Sequence, residues 1–370
     1  MKVSWDQVLA WRLRRQFLEP LADPGPAEVV GRLCGVQAQV TSSAELAIAL
    51  RRASADTGPL AAALREGALM KTWVMRGTLH WVAPAQGADF LSLLASARTW
   101  EKPAWTREFG ATPEQVAALA EKVPEILDGT ELSREDLAAE LIRDKRFAGM
   151  EKQLKSGWGA LLKPLAWQGA LCHGSGQGGR ITFTSPRTRV AGWKGLPDPA
   201  EAGPRALAAY LGAYGPARPE TFDAWLSRGS LRKTVLRAFV DGLGDRLTEV
   251  EVEGRPAYVL TEHAEELAAT EPARSVHLLG GFDQYILGPG TKAEEILPAA
   301  HRAKVSKTAG WISPLVVVGG RVTGVWEVTD RQLAVTLFPG ASAPAREDLD
   351  AAADRVARAA GLGSLTVRVS

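Results

Sequence analysis

Cysteine is nearly absent: Cys34 and Cys172 are the whole complement of a 370-residue chain. Two thiols cannot build a disulfide framework, and five dispersed histidines, with His173 beside Cys172 the one such neighbour pair, give no metal-ligand spacing. We therefore expect no staples, no metal and no cofactor. Also missing is any run of about eighteen apolar residues, so no membrane-spanning helix is expected. The stretch Met1 to Trp11 goes straight into an amphipathic pattern without the apolar core and cleavage site of a secretory leader, which points to the cytoplasm. No Walker loop, zinc-protease helix or nucleophile elbow occurs, an argument against phosphoryl transfer and zinc hydrolysis.

Carboxylates are missing locally rather than globally. Residues 152–197 contain no Asp or Glu but hold Lys152, Lys155, Lys163, Arg180, Arg187, Arg189 and Lys194. Residues 296–326 are likewise acid-free, with Arg302, Lys304, Lys307 and Arg321, and residues 67–88 add Lys71 and Arg76. The formal net charge of the whole chain is only +2, so these thirteen cations leave a net −11 for the remainder. Segregation of this kind is the footprint of a polyanion-binding face, although burial of such stretches as strands and loops would also thin out their carboxylates.

What is present reads as a globular chain, 46% hydrophobic and 23% charged, long enough for two to four compact units. Trp5, Val8, Leu9, Leu13 and Phe17 recur at helical spacing after Ser4, a good N-cap, and Pro20 closes that helix. Further helices follow Pro26 and Ser42, where Glu45 three residues on completes a capping-box pattern, and around Leu60 to Arg65. Leu69 to Met75 and Thr78 to Val82 then read as two strands joined at Arg76 and Gly77. Helices followed by a hairpin form the winged-helix pattern, and the cycle recurs. The second pass has helices at 113–127, at 133–143 behind Ser133, and at 158–167, then strands at 170–173 and 180–184. The third has helices at 204–213, 220–227 and 230–241, then strands at 246–251 and 256–260. From about Val276 the chain changes to strands at 315–318, 322–327, 332–338 and 364–369, with a helix at 346–360. The expected fold is α+β and mainly helical: winged-helix units at 1–110, 111–195 and 196–270, and a C-terminal α/β region at 271–370, together forming a concave DNA-binding assembly.

Several residues invite a chemical reading. Gly174, Gly176 and Gly179 spell a dinucleotide-type fingerprint, but the residues after it alternate like a strand where that motif needs a helix, so a wing tip fits better. In Gly35, Val36, Gln37, Ala38, Gln39, Val40 an extended backbone would send both amides to one side and Val36, Ala38 and Val40 to the other. The plain alternative is that these amides satisfy buried backbone groups at a helix junction. Asp283, in a glycine-rich apolar setting, is either a base or a turn residue fixing the tail. Arg76, Thr78 and His80 alternate along one strand, so that they either approach DNA or tie the first unit to the second. His301, Arg302, Lys304 and Lys307 read as an exposed basic hairpin or arm.

Leu33 to Gln39, Met75 to His80 and Gly281 to Tyr285 together resemble the AlkZ and YcaQ group of winged-helix DNA glycosylases, over nearly the whole chain. In that group the paired-glutamine variant of the motif is catalytic, so the resemblance implies Gln37 and Gln39 as catalytic residues. It also implies a projecting basic hairpin that probes a duplex groove, with Arg302, Lys304, Lys307 and His301 on it. Lys152, Lys155, Arg187, Arg189 and Arg76 would hold the backbone. The implied substrate is damaged double-stranded DNA bearing N7-alkylguanine, including bulky adducts and interstrand crosslinks, and the implied role is repair or self-protection in a bacterium that makes DNA alkylators. Amides suit this chemistry, because an N7- or N3-alkylated purine is already cationic and leaves without a general acid. Gln39 would contact the water and Gln37 orient it. A monomer without lyase activity is expected, as no lysine stands in an apolar context that would lower its pKa. The rival reading is a winged-helix transcription regulator with structural glutamines, which would prefer a DNA sequence and dimerise over half-sites.

Overall fold

The computed structural model describes residues 1–157, 159–176 and 180–370. Trp158 and Gly179, which figured in the expected helix at 158–167 and in the glycine fingerprint, lie outside the described residues. The first helix, Trp5–Arg15, is set by Ser4: its hydroxyl accepts from the Gln7 amide at 3.2 Å while Gln7 Oε1 accepts from the Ser4 amide at 3.1 Å. The helix stops well before Pro20, because Phe17 turns left-handed with φ 58° and so leaves the expected apolar stripe. The Ser42 box does not form. Helix Thr41–Ala49 begins one residue earlier, behind an extended Val40 with no side-chain cap, which leaves Ser42 inside the first turn.

The three helix-and-strand cycles appear in order, but they share sheets. Strands Val36–Gln37, Leu79–Val82 and Met70–Trp73 of the first cycle continue through Cys172–His173, Thr182–Thr184 and Leu132–Ser133 of the second as one six-stranded sheet. The link between the cycles is the antiparallel pair Lys71 and His173. In the third cycle, helices Pro199–Tyr214, Pro219–Ser227 and Lys233–Leu243 precede the hairpin Leu247–Val252 and Arg255–Leu260. That hairpin takes Lys2–Val3 as a parallel third strand, Lys2 opposite Glu251. Met70, Val82 and Phe90 of the first cycle and Tyr210, Trp225 and Phe239 of the third share one hydrophobic core. These contacts bury both elements at once and hold the first cycle between its neighbours.

The tail is a five-stranded sheet, in order Val276–Leu279, Leu315–Val318, Arg321–Thr329, Gln332–Leu337 and Thr366–Val369. Helix Arg346–Ala359 packs its Leu349, Ala353 and Val356 against this sheet, in a core shared with Ala49 and Leu50 of the first cycle. The fold is α+β and mainly helical, as expected. Among the described residues no helix is long and apolar enough to cross a membrane. Cys34 and Cys172 are both buried and unbonded.

Candidate active site and nucleic-acid interface

The Gln-Ala-Gln segment begins on an edge strand, Val36–Gln37, positioned by one glycine. Gly35 has φ 109°, and a Cβ there would meet Met75 Cε at 2.9 Å, Val82 Cγ1 at 3.0 Å and the Trp81 carbonyl oxygen at 3.2 Å. Only glycine lets the chain lie this close to the neighbouring strand. Val36 then pairs with Trp81 and Gln37 with His80, and the Ala38 amide donates to the Leu79 carbonyl at 2.8 Å. Val36, Ala38 and Trp81 point into an apolar cluster with Val29, Val30, Ala44 and Ile48. Strand alternation therefore sends Gln37 to the opposite face, where it is 7% exposed. Gln39 follows at an exposed bend before helix Thr41–Ala49. Neither amide takes part in a hydrogen bond among the described residues. The alternative in which the glutamines satisfy buried backbone groups finds no support in these contacts.

Directly across the ladder from Gln37 stands His80, and across from His80 stands Thr72, so the three share a face. His80 is fully buried; its Nδ1 lies 3.0 Å from the Thr78 carbonyl and must carry the proton, which leaves Nε2 as an acceptor with no protein partner. Burial pushes the imidazole pKa down to about 3, so His80 is neutral and is no proton donor. Thr72 Oγ1 is also buried without a partner. The row of Gln37, His80 and Thr72 could not be read from sequence because it depends on the register of three strands. Its one advance signal was the alternation around His80.

Arg76, Thr78 and His80 do not alternate along one strand. Met75–Gly77 is a 3-10 turn with Arg76 at φ 56°, and the Arg76 guanidinium donates to the Trp225 carbonyl at 3.0 Å. Arg76 thus ties the hairpin tip to the third cycle rather than to the second. Asp283 is a structural residue. Arg51 Nη1 and Nη2 donate to its two oxygens at 2.9 and 2.7 Å, both side chains are fully buried, and Asp283 caps helix Gln284–Leu287 by accepting from the Tyr285 amide at 2.8 Å.

Only the last part of the basic segment 301–308 lies on a hairpin. The rest forms a turn, Ala299–His301, and a short helix, Arg302–Val305; the narrow hairpin starts only at Ser306, bridged to Ile312, with Thr308–Gly310 at its tip. Lys304 and Lys307 are exposed, whereas Arg302 Nε donates to Thr291 Oγ1 at 3.3 Å and His301 stacks on Phe338 with ring centroids 4.5 Å apart. Trp311, 48% exposed beside this tip, meets Phe282 edge-on at 5.0 Å. In the other basic window Lys152 and Arg187 are exposed, and Lys155 pairs with Glu151 at 2.6 Å. Arg189 donates to the Leu64 and Arg65 carbonyls and locks the second cycle to helix Gly58–Arg65. The loop of Gly174 and Gly176 is occupied from within: Glu131 accepts from the Ser175 and Gly176 amides at 3.0 and 2.9 Å, and a strand follows. Among the described residues no group of three His, Cys, Asp or Glu is placed to hold a metal.

Comparison with known proteins gives these features a context. The family of AlkZ-like DNA glycosylases matches residues 30–359. The chain is 55% identical to the interstrand DNA cross-link repair glycosylase of Streptomyces sahachiroi, with all of both chains covered. The solved structure of the Streptomyces sahachiroi DNA glycosylase AlkZ is similar at a TM-score of 0.98 and 55% identity, again over the whole of both chains. The class is thereby defined: the protein is a DNA glycosylase, a hydrolase of N-glycosyl bonds. Within that class the chain belongs to the AlkZ-like family, as the motifs around Gln37, Arg76 and Asp283 led us to expect.

Proposed function

We propose that Gln37 and Gln39 carry out hydrolysis of the N-glycosidic bond of cationic alkylated purines in duplex DNA, N7-alkylguanine above all. The observation that carries this reading is the pair of amides held at a constrained strand end with no protein hydrogen bond of their own. Such groups are free to accept from water and to face a developing positive charge. The C1′–N9 bond breaks and the alkylated base leaves neutral, its cationic charge cancelled by the bond electrons. Gln39 holds the water whose oxygen bonds to C1′, Gln37 orients it, and the water's proton passes to solvent. Preorganised dipoles rather than a strong base stabilise the oxocarbenium-like sugar, so unmodified purines are poor substrates.

The relative that repairs interstrand DNA cross-links shares the whole length of this chain, and that supports bulky adducts and crosslinks as substrates and a role in resistance to a DNA-alkylating natural product. The three cycles act as winged-helix units at 1–110, 111–195 and 196–270, with the tail at 271–370, in a monomeric cytoplasmic enzyme. Lys304, Lys307, Lys152 and Arg187 meet phosphates, with Arg302, His301, Lys155, Arg189 and Arg76 supporting them through the contacts described above.

The test is release of 7-methylguanine from methylated duplex DNA by wild type, Gln37→Ala and Gln39→Ala, with DNA affinity measured alongside. We expect wild-type release and a loss of roughly 100- to 1000-fold in the Gln39 variant, at unchanged affinity. No release by the wild type sinks the proposal, and borohydride trapping of a DNA adduct would show a lyase instead of a monofunctional enzyme.

A further inference from the structure

A cleft of about 850 Å³ does not include the glutamines. It lies where the three cycles meet, and its wall carries five Lys or Arg against one Glu. Arg76 enters from the first cycle, Lys163 from the second and Arg228 from the third, and none of these three forms a salt bridge among the described residues. Arg228 donates to the Arg76 carbonyl at 2.9 Å, and a Cβ on Gly77 would lie 3.6 Å from Trp167 Cζ2 and 3.9 Å from Lys163 Cδ. The hairpin tip is thus wedged between the cations. Burial first, and then the charge of Arg228, pushes the pKa of Arg76 down to about 10 and lowers that of Lys163. Three cations drawn together without a counter-charge repel one another, and an anion placed among them would relieve the repulsion.

Two further features narrow the ligand. The rings of Trp105 and Trp167 line the same cleft and are only partly buried, so each offers apolar surface to an aromatic group. Trp167 Nε1 and Gln153 Oε1, a donor and an acceptor on that wall, are buried without protein partners. Phosphate-sized charge beside stacking surface and edge-reading polar atoms matches a nucleotide. Position agrees. Gly77, in the turn before strand Leu79–Val82, is three residues from His80, the partner of Gln37, and so at most about 10 Å away at ~3.3 Å per residue. That span is on the order of three base steps at ~3.4 Å each.

We infer that this cleft is a second nucleic-acid site, which holds a nucleoside monophosphate unit with its phosphate among Arg76, Lys163 and Arg228 and its base against Trp105. The inference deepens the proposed action of the glutamines on DNA and rests on it. The unit is a nucleotide of the strand about three steps from the lesion, or a free mononucleotide of the same chemistry.

The test uses the full chain. Binding of a labelled duplex with one unpaired nucleotide, and of its fully paired counterpart, is measured by anisotropy over a range of salt concentrations. Free deoxyguanosine monophosphate is followed in parallel by ligand-observed NMR. Wild type is compared with Lys163→Gln/Arg228→Gln and with Trp105→Leu, all with matched thermal melts. We expect wild type to prefer the unpaired nucleotide by about tenfold, from a few stacking and charged contacts. The double variant loses that preference, and its salt slope falls by about two. Trp105→Leu loses the preference and keeps the slope. A free-nucleotide signal that vanishes in the double variant assigns the free nucleotide as occupant; its absence beside a retained preference for the unpaired duplex assigns the strand. An unchanged preference and slope in the double variant overturn the inference. Wild-type release of 7-methylguanine in the same samples separates that failure from failure of the glutamine assignment.

Discussion

Two buried polar clusters of the molecule are wired in opposite ways. The Asp283 carboxylate takes three donors, two from Arg51 and one from the Tyr285 amide, inside a core where neither charged side chain meets solvent. The row of Gln37, His80 and Thr72 has the same depth but leaves its outward atoms without protein partners. A polar group whose capacity is consumed by the protein holds the fold and has nothing left for a substrate. One that stays open at the cost of about 1–3 kcal/mol is available for a reaction. By this contrast the more acidic residue is the structural one, and the neutral amide is the one left open, as the proposed chemistry requires.

The strongest way to break the comparison is Asp283→Ala. It strands the Arg51 charge in the core, and we expect a loss of about 3–5 kcal/mol in chemical denaturation, largely recovered when Arg51 is also replaced by Met. A well-folded variant that instead lost excision would move Asp283 into the chemistry. Next comes acidity. His80 and His173, held at pKa values of about 3, and His277, at about 4, are neutral when folded and are displaced downward mainly by burial. The unfolded chain takes up protons below about pH 6.5 while the native chain does not, so stability falls as pH drops from there toward the folded values. Each contributes roughly 2 kcal/mol of loss by pH 5, and melting temperatures measured from pH 7 to pH 5 should decline steadily. A flat profile would mean that these rings find protons in the native state. The smallest effect sharpens the contrast most directly: Thr72→Val removes a hydroxyl without a protein partner at nearly constant volume. We expect a change between zero and about 1 kcal/mol of stabilisation, whereas a clear loss would show that Thr72 is satisfied after all.

Much of this was legible in advance. Helices declared themselves by period and strands by alternation, and Ser4 and Ser133 cap as their neighbours suggested. The family motifs led to Gln37 and Gln39; the extended strand expected to carry both amides holds Gln37, whereas Gln39 falls in the bend after it. What stayed hidden depends on partners far away in the chain. Arg51 and Asp283 are 232 residues apart, and no spacing rule joins them. Arg76 looked like a strand residue because the left-handed turn that aims it at Trp225 leaves no mark in composition. The acid-free windows overstated the free charge, since Arg189 is spent on the carbonyls of helix Gly58–Arg65 and Lys155 on Glu151. Ser42 failed as a cap because Thr41 already begins the helix.

The six-stranded sheet has a mechanical consequence. Gln37 and the strands of the acid-free window 152–197 belong to one sheet, so the spacing between them is set by hydrogen-bond rungs rather than by a tether. Under the proposed contacts this half of the molecule works as a rigid template. It cannot splay to suit a straight, intact helix, and whatever lies across it must supply the bending itself. Lesions that soften a duplex would then settle there more readily than sound DNA, a sorting step that precedes any bond cleavage.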